Sequence, residues 1–171
     1  MNDPSYHSLK ALFMDVDGVL TDGRLFFTAE GETLKCFHVL DGAGIKYLQE
    51  MGIFVAWITG RDSQAVRTRA KELGVELRAG VSQKLAVYQD ILKIFGVKDE
   101  ETGYIGDDLP DIPVLKQVAY PFTVPHACAA VKKQAHYITQ CPAGQGAVRE
   151  IAELILKSQN KWETLLKRFA L

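Results

Sequence analysis

No stretch of this chain is long and apolar enough to cross a bilayer. Its longest purely apolar run, Ile53 to Ile58, has six residues, against the about 20 that a spanning helix needs. No basic segment followed by an apolar one marks the N-terminus as a leader, so the expectation is a cytoplasmic protein without a membrane partner. Cysteine is scarce as well. Cys36, Cys128 and Cys141 are odd in number, widely spaced and without C-x-x-C pairing, which argues against a disulfide framework and a structural zinc site. They read as ordinary reduced thiols. An excess of one charge sign is missing too: 20 Lys and Arg face 21 Asp and Glu, a net charge of −1. The overall balance therefore offers nothing to nucleic acid or anionic lipid, and any anion must be bound locally. There is no internal repeat, no low-complexity segment and no linker long enough to separate two domains.

What remains is an ordinary globular composition. Apolar residues make up 47% and charged residues 24% of 171, enough for one domain over residues 1–171 with a dry core. Short β-branched and aromatic runs alternate with stretches of helical period, which predicts an α/β fold built on a mostly parallel sheet. Leu9 to Asp15 reads as a buried strand. Arg24 to Phe27 and Thr33 to Val39 read as a hairpin turning at Ala29 to Glu32, so a small flap over about 24–39 is expected. Asp41 to Met51 reads as a helix and Ile53 to Ile58 as a strand. A helix over Ser63 to Leu73 ends at Gly74, a short strand lies near Leu77, and a helix over Lys84 to Phe95 ends at Gly96. Tyr104 to Gly106 is a strand end. Helices are expected over Ile112 to Gln117, Ala127 to Lys133 and Ala147 to Ser158, with outer strands between them and a C-terminal tail over about 159–171 that is weakly helical from Lys161 to Leu171.

Chemistry concentrates at predicted strand ends, where open α/β sheets gather their ligands. Asp15 and Asp17, with Gly18, follow the first strand. A second acidic group, Asp107, Asp108 and Asp111, follows another and lies beside the first if the two strands are neighbours. Several carboxylates at one place need a cation, and hard oxygen ligands favour Mg²⁺. The plainer reading is an Asp-rich turn for the first group and helix caps for the second. Thr59, Gly60 and Arg61 end the strand Ile53 to Ile58 and precede a helix, which suits an anion; an ST-turn with a solvated Arg explains them equally well. Lys84 opens a helix, where a cation opposes the macrodipole unless something anionic compensates it. His7, His126 and His136 share no metal spacing.

The ordered set Asp15-x-Asp17, Thr59, Lys84 and Gly106-Asp107-Asp108 resembles the four motifs of the haloacid dehalogenase-like phosphatases over Leu9 to Leu115. More narrowly, Asp15 to Gly23, Phe37 to Gly42, Gly60 to Ser63 and Gly146 to Glu150 resemble the 3-deoxy-D-manno-octulosonate 8-phosphate phosphatase family across nearly the whole chain. That resemblance implies a Rossmann-like domain without a large cap, a Mg²⁺ cofactor, a place in lipopolysaccharide biosynthesis and a homotetramer in which a neighbouring subunit and C-terminal tails cover the pocket. It implies Asp15 as nucleophile and Asp17 as acid and base. Mg²⁺ would be held by Asp15, the Asp17 carbonyl and Asp107, with Asp108 and Asp111 behind them, and Thr59 and Lys84 on the phosphoryl oxygens. A sugar acid phosphate would be bound by Asp17, His38, Asp41, Gly42, Lys46, Arg61, Arg69 and Lys84. For Lys46 and Arg69 a solvated helix face explains the residues nearly as well, and His38 reads equally as a flap residue bonded to backbone. Leu40 departs from the family, which often carries Arg there. A phosphatase of a nine-carbon nonulosonate 9-phosphate, and a non-catalytic oligomerisation or receiver-like regulatory module, stay open as alternatives.

Overall fold

Six parallel strands form the central sheet of the computed structural model, which describes residues 5–170. They are β1 (Ala11–Met14), β4 (Phe54–Ile58), β5 (Glu76–Arg78), β6 (Thr102–Ile105), β7 (Tyr120–Thr123) and β8 (Tyr137–Ile138), in the order β5-β4-β1-β6-β7-β8. A separate antiparallel pair, β2 (Phe26–Thr28) and β3 (Gly31–Leu34), is the flap. The helices are α1 (Val39–Glu50), α2 (Gln64–Leu73), α3 (Lys84–Phe95), α4 (Ile112–Leu115), α5 (Ala129–Lys132), α6 (Ala147–Ser158) and α7 (Trp162–Leu166). The α/β expectation, with a mostly parallel sheet, a small flap and no large cap, holds.

The buried pattern of β1 explains its central place. Ala11, Leu12, Phe13 and Met14 are all buried, as a parallel strand covered on both faces requires. From β1 the chain runs outward through β4 to β5, then returns by α3 to β6 on the other side of β1. The order therefore reverses between β1 and β6, and the crevice outside their carboxyl ends is where such sheets bind ligands. Helix α1 packs with both α6 and α2, and α3 packs with α4. Helix α6 presents Ala147, Val148, Ile151, Ala152, Ile155 and Leu156 as one buried stripe, the spacing of a single helix face. It approaches α1 closely at Gly44, where a Cβ would come within 3.0 Å of the Arg149 Cα.

Around the flap and α1, three boundaries differ from expectation. The second arm of the flap ends at Leu34 rather than continuing to Val39, because Lys35 turns inward to pair with Asp17 and Phe37 stacks on Trp57 at 6.1 Å. The first arm starts at Phe26, since Asp22 Oδ1 accepts from the Arg24 backbone N–H at 3.0 Å and holds Arg24 in the preceding turn. Helix α1 begins at Val39, two residues before Asp41, with His38 as its N-cap. The C-terminal tail packs on its own chain as far as residue 169. Lys161 Nζ donates to the Met51 carbonyl at 2.9 Å, Arg168 pairs with Glu50, and Phe169 packs edge-on against Tyr47.

Candidate active site

Four strand ends supply the side chains around one cavity of about 290 Å³, lined by Asp15, Asp17, Thr59, Gly60, Arg61, Lys84, Asp107, Asp108 and Asp111 among others. Asp15 follows β1, Asp107 follows β6 and Thr59 follows β4; Lys84 opens α3 after β5. The pairings of β1 with both β4 and β6 bring these ends side by side, so residues far apart in sequence converge at the reversal of strand order.

The floor is a buried ion-pair network. Lys84 Nζ lies 2.9 Å from Asp15 Oδ1 and 2.7 Å from Asp111 Oδ1. That answers the puzzle of a cation at a helix start: two carboxylates outweigh the unfavourable dipole. Burial pushes the Lys84 ammonium down, but Asp15 and Asp111 more than offset it and move it above the usual lysine value. Asp111 is saturated. Its Oδ1 also accepts from Tyr104 Oη at 2.6 Å, and its Oδ2 accepts from the backbone N–H groups of Asp107 at 3.0 Å and Asp108 at 3.2 Å. It holds the acidic loop and the lysine in place and keeps no oxygen spare. Asp108 is exposed and caps the short 3₁₀ turn Leu109–Asp111, so the capping reading holds for it.

Asp15, Asp107 and Asp111 each bring an oxygen within 4.8 Å of the others. Two unit charges about 5 Å apart repel by about 3 kcal/mol at an effective dielectric of 20, so three ionised carboxylates with one lysine are not balanced. Burial first, then the charge of Asp111, pushes the Asp15 carboxyl up to about 7 against the pull of Lys84. Burial, then Asp15 and Asp111, pushes Asp107 up to about 7 as well. Asp107 Oδ1 is buried with no hydrogen-bond partner, an arrangement that suits a metal ligand. Gly18 makes room for it: at φ +87 a Cβ there would lie 2.1 Å from Asp107 Oδ2. The donor set is all oxygen, the set a Mg²⁺ ion takes.

Asp17 lines the same cavity. Its Oδ1 is paired with the Lys35 ammonium, while its Oδ2 is buried and unpartnered. Thr59 is buried, and its Oγ1 accepts from the Arg61 N–H at 3.3 Å, so the ST-turn and a place at the cavity are both true of it. Arg61 is exposed at the rim.

The remaining substrate-binding candidates, His38, Asp41, Gly42, Lys46 and Arg69, lie outside this cavity in the single chain. His38, Asp41, Gly42 and Arg69 line a separate crevice too narrow to admit water. Asp41 is buried, and its carboxylate accepts from the backbone N–H groups of Gly146 at 3.2 Å and Arg149 at 2.9 Å. It caps α6, and burial raises its pKa despite those bonds. Lys46 Nζ donates to the Leu73 carbonyl at 2.7 Å, closing the end of α2, and Arg69 pairs with Glu72 at 2.8 Å. Sequence reasoning missed Lys35, because a lysine within an expected hairpin strand looks like any solvated residue. A second cavity, about 390 Å³ and lined by Leu40, Tyr137, Cys141 and Arg149 among others, opens over α6 away from the carboxylates.

Comparison with known proteins agrees with this geometry. A family profile described as haloacid dehalogenase-like hydrolase matches residues 76–151. The chain is 43% identical over 157 residues to the 3-deoxy-D-manno-octulosonate 8-phosphate phosphatase of Yersinia pestis, covering 91% of this chain and 84% of that one. It is 42% identical over 155 residues to the enzyme of the same name from Haemophilus influenzae, covering 90% and 86%. Among solved structures, the phosphatase of that name from Moraxella catarrhalis, in complex with magnesium ion, phosphate ion and KDO, superposes with a TM-score of 0.93 at 41% identity, covering 96% of this chain and 95% of that one.

Proposed function

The chain belongs to the haloacid dehalogenase-like hydrolases, in the family of 3-deoxy-D-manno-octulosonate 8-phosphate phosphatases, and we propose that it hydrolyses that phosphomonoester through a phosphorylated Asp15. The observation that carries the reading is the buried junction of Asp15, Lys84 and Asp107, in which one carboxylate oxygen has no partner. Asp15, the Asp17 carbonyl and Asp107 would hold a Mg²⁺ ion, which would supply the positive charge that a carboxylate needs to approach a phosphate dianion.

The chain's own groups do the rest. Lys84 and Thr59 donate to the phosphoryl oxygens and hold the phosphorus in line with Asp15. Asp15 attacks phosphorus, the P–O bond to the sugar breaks, and a covalent aspartyl phosphate replaces it, so one hard displacement becomes two easier ones. Asp17 gives its proton to the departing alkoxide, then takes one from the water that releases phosphate. Arg61, at the rim, meets the sugar acid.

The same proposal extends to assembly and setting. Phe26, Phe27 and Leu34 on the flap, with Val39 and Leu40 at the start of α1, are exposed, Val39 by 74%. Exposed large apolar side chains concentrated in one stretch of the chain suit a protein contact, in keeping with a homotetramer. In it, His38, Lys46 and Arg69 meet the substrate of a neighbouring subunit. We place the enzyme in the cytoplasm, supplying lipopolysaccharide synthesis, as one catalytic domain over residues 1–171. Among the described residues no helix is long and apolar enough to cross a membrane.

The test is phosphate release, with and without Mg²⁺, from eight-carbon and nine-carbon sugar acid phosphates and from hexose phosphates. Mg²⁺-dependent preference for the eight-carbon substrate is expected. Equal turnover of all of them contradicts the specific assignment, and no turnover by a stable oligomer favours an assembly module.

A further inference from the structure

Lys35 ties the flap to Asp17. It is the first residue after β3, its side chain is 0% exposed, and its ammonium pairs with Asp17 Oδ1. Burying an ammonium group costs several kcal/mol unless it is well paired, so a lysine in this place calls for a reason. Neutralising the metal cluster is not that reason. Lys84 already sits between Asp15 and Asp111, and the three carboxylates that come together are Asp15, Asp107 and Asp111, without the Asp17 side chain. What Lys35 does is take one oxygen of Asp17 and leave the other, Oδ2, buried and without a partner. A carboxylate held by one oxygen has a fixed plane, and its remaining oxygen has a fixed direction.

We propose that Lys35 is a positioning residue for proton transfer: it clamps Asp17 Oδ1 so that Oδ2 meets the bridging oxygen of the phosphoester. The inference rests on the reading of Asp17 as acid and base. Lys35 acts through Asp17, and the flap that carries it becomes part of the catalytic frame.

Dependence on the leaving group tests this. An alkyl phosphate such as the sugar acid phosphate expels a poor leaving group that needs a proton as the P–O bond breaks, whereas p-nitrophenyl phosphate expels an anion that leaves without one. Because kcat/KM reports the steps through departure of the leaving group, it isolates the acid role of Asp17. The full-length Mg²⁺ enzyme is compared with Asp17→Asn, Lys35→Met and the double variant on both substrates. Lys35→Met is expected to lower kcat/KM for the sugar acid phosphate by about 10²-fold or more, within the range of general acid catalysis, and that for p-nitrophenyl phosphate by less than about fivefold. Asp17→Asn should show the same selectivity, and the double variant little further loss, since the two act as a unit. Lys35→Arg, which keeps the charge, should recover part of the loss, and with Lys35→Gln it supplies the same comparison if the Met variant is unfolded.

Equal losses on the two substrates, or no loss on either, overturn the inference. If Asp17→Asn is selective and the Lys35 variants are not, only the role of Lys35 fails. If wild-type enzyme hydrolyses neither substrate, or Asp17→Asn loses both equally, the phosphatase reading of Asp17 fails with it.

Discussion

Lys84 and Asp15 face each other at 2.9 Å on the floor of the cavity, and the same ammonium lies 2.7 Å from Asp111. One cation therefore holds the nucleophile on one side and, through Asp111, the acidic loop on the other. Lys84→Met should lower kcat/KM by about 10²- to 10³-fold, the usual loss when one preorganised donor to a developing charge is removed. Steady-state kinetics on folded protein check this, and a loss under about tenfold would contradict the phosphate-binding role.

Metal and pH should act on stability together. Asp15 and Asp107 are pushed from the ordinary carboxylate value of 3.8 up to about 7. Between those values the native protein keeps protons that the unfolded chain has released, so raising the pH from about 4 to about 7 removes stability from the metal-free protein. Lys84 is moved up, so its contribution is lost only in strongly alkaline solution, outside this window. Mg²⁺ binds the deprotonated groups and relieves their repulsion. Thermal unfolding with EDTA and with excess Mg²⁺, at about pH 5.5 and about pH 8, should show a larger Mg²⁺-dependent rise in Tm at the higher pH. Equal rises would contradict the ionisation scheme.

Asp41 should prove structural. It caps α6 through the Gly146 and Arg149 N–H groups from a buried position. Asp41→Ala should cost roughly 1–3 kcal/mol, the sum expected for a lost cap and unsatisfied donors, as measured by urea unfolding. Unchanged stability with a raised KM would instead make it a substrate contact.

Gly18 should tolerate no side chain. A Cβ there would strike Asp107 Oδ2 at 2.1 Å, and φ +87 is a backbone conformation disfavoured for other residues. Gly18→Ala should weaken Mg²⁺ binding at least about tenfold, in line with the usual loss when support for a metal ligand is disturbed. Titration calorimetry reads this directly, and wild-type affinity would rule out Asp107 as a ligand.

Most of the frame was legible because it rests on local signals. Gly74 and Gly96 end α2 and α3 where the sequence predicts, and the apolar stripe of α6 follows from its spacing alone. The acidic clusters were legible because carboxylates at two strand ends become neighbours once those strands pair. Less visible were features made by contacts across the chain. Asp41 is next to Gly42 in a sequence that resembles a substrate loop, yet it spends its oxygens on a helix that starts at Ala147. Lys35 continues the flap in sequence, but its partner Asp17 comes from another turn. In both cases the deciding term is the cost of a buried charge, and nothing local in the sequence says which side chains will be buried.

Transient phosphorylation of Asp15 is the central claim, and acid quenching during steady-state turnover followed by peptide mass mapping tests it most directly. The wild-type enzyme should carry one phosphoryl group on the peptide containing Asp15, and Asp15→Asn should carry none. Turnover with no phosphoryl adduct, or an adduct on any other residue, would contradict the mechanism.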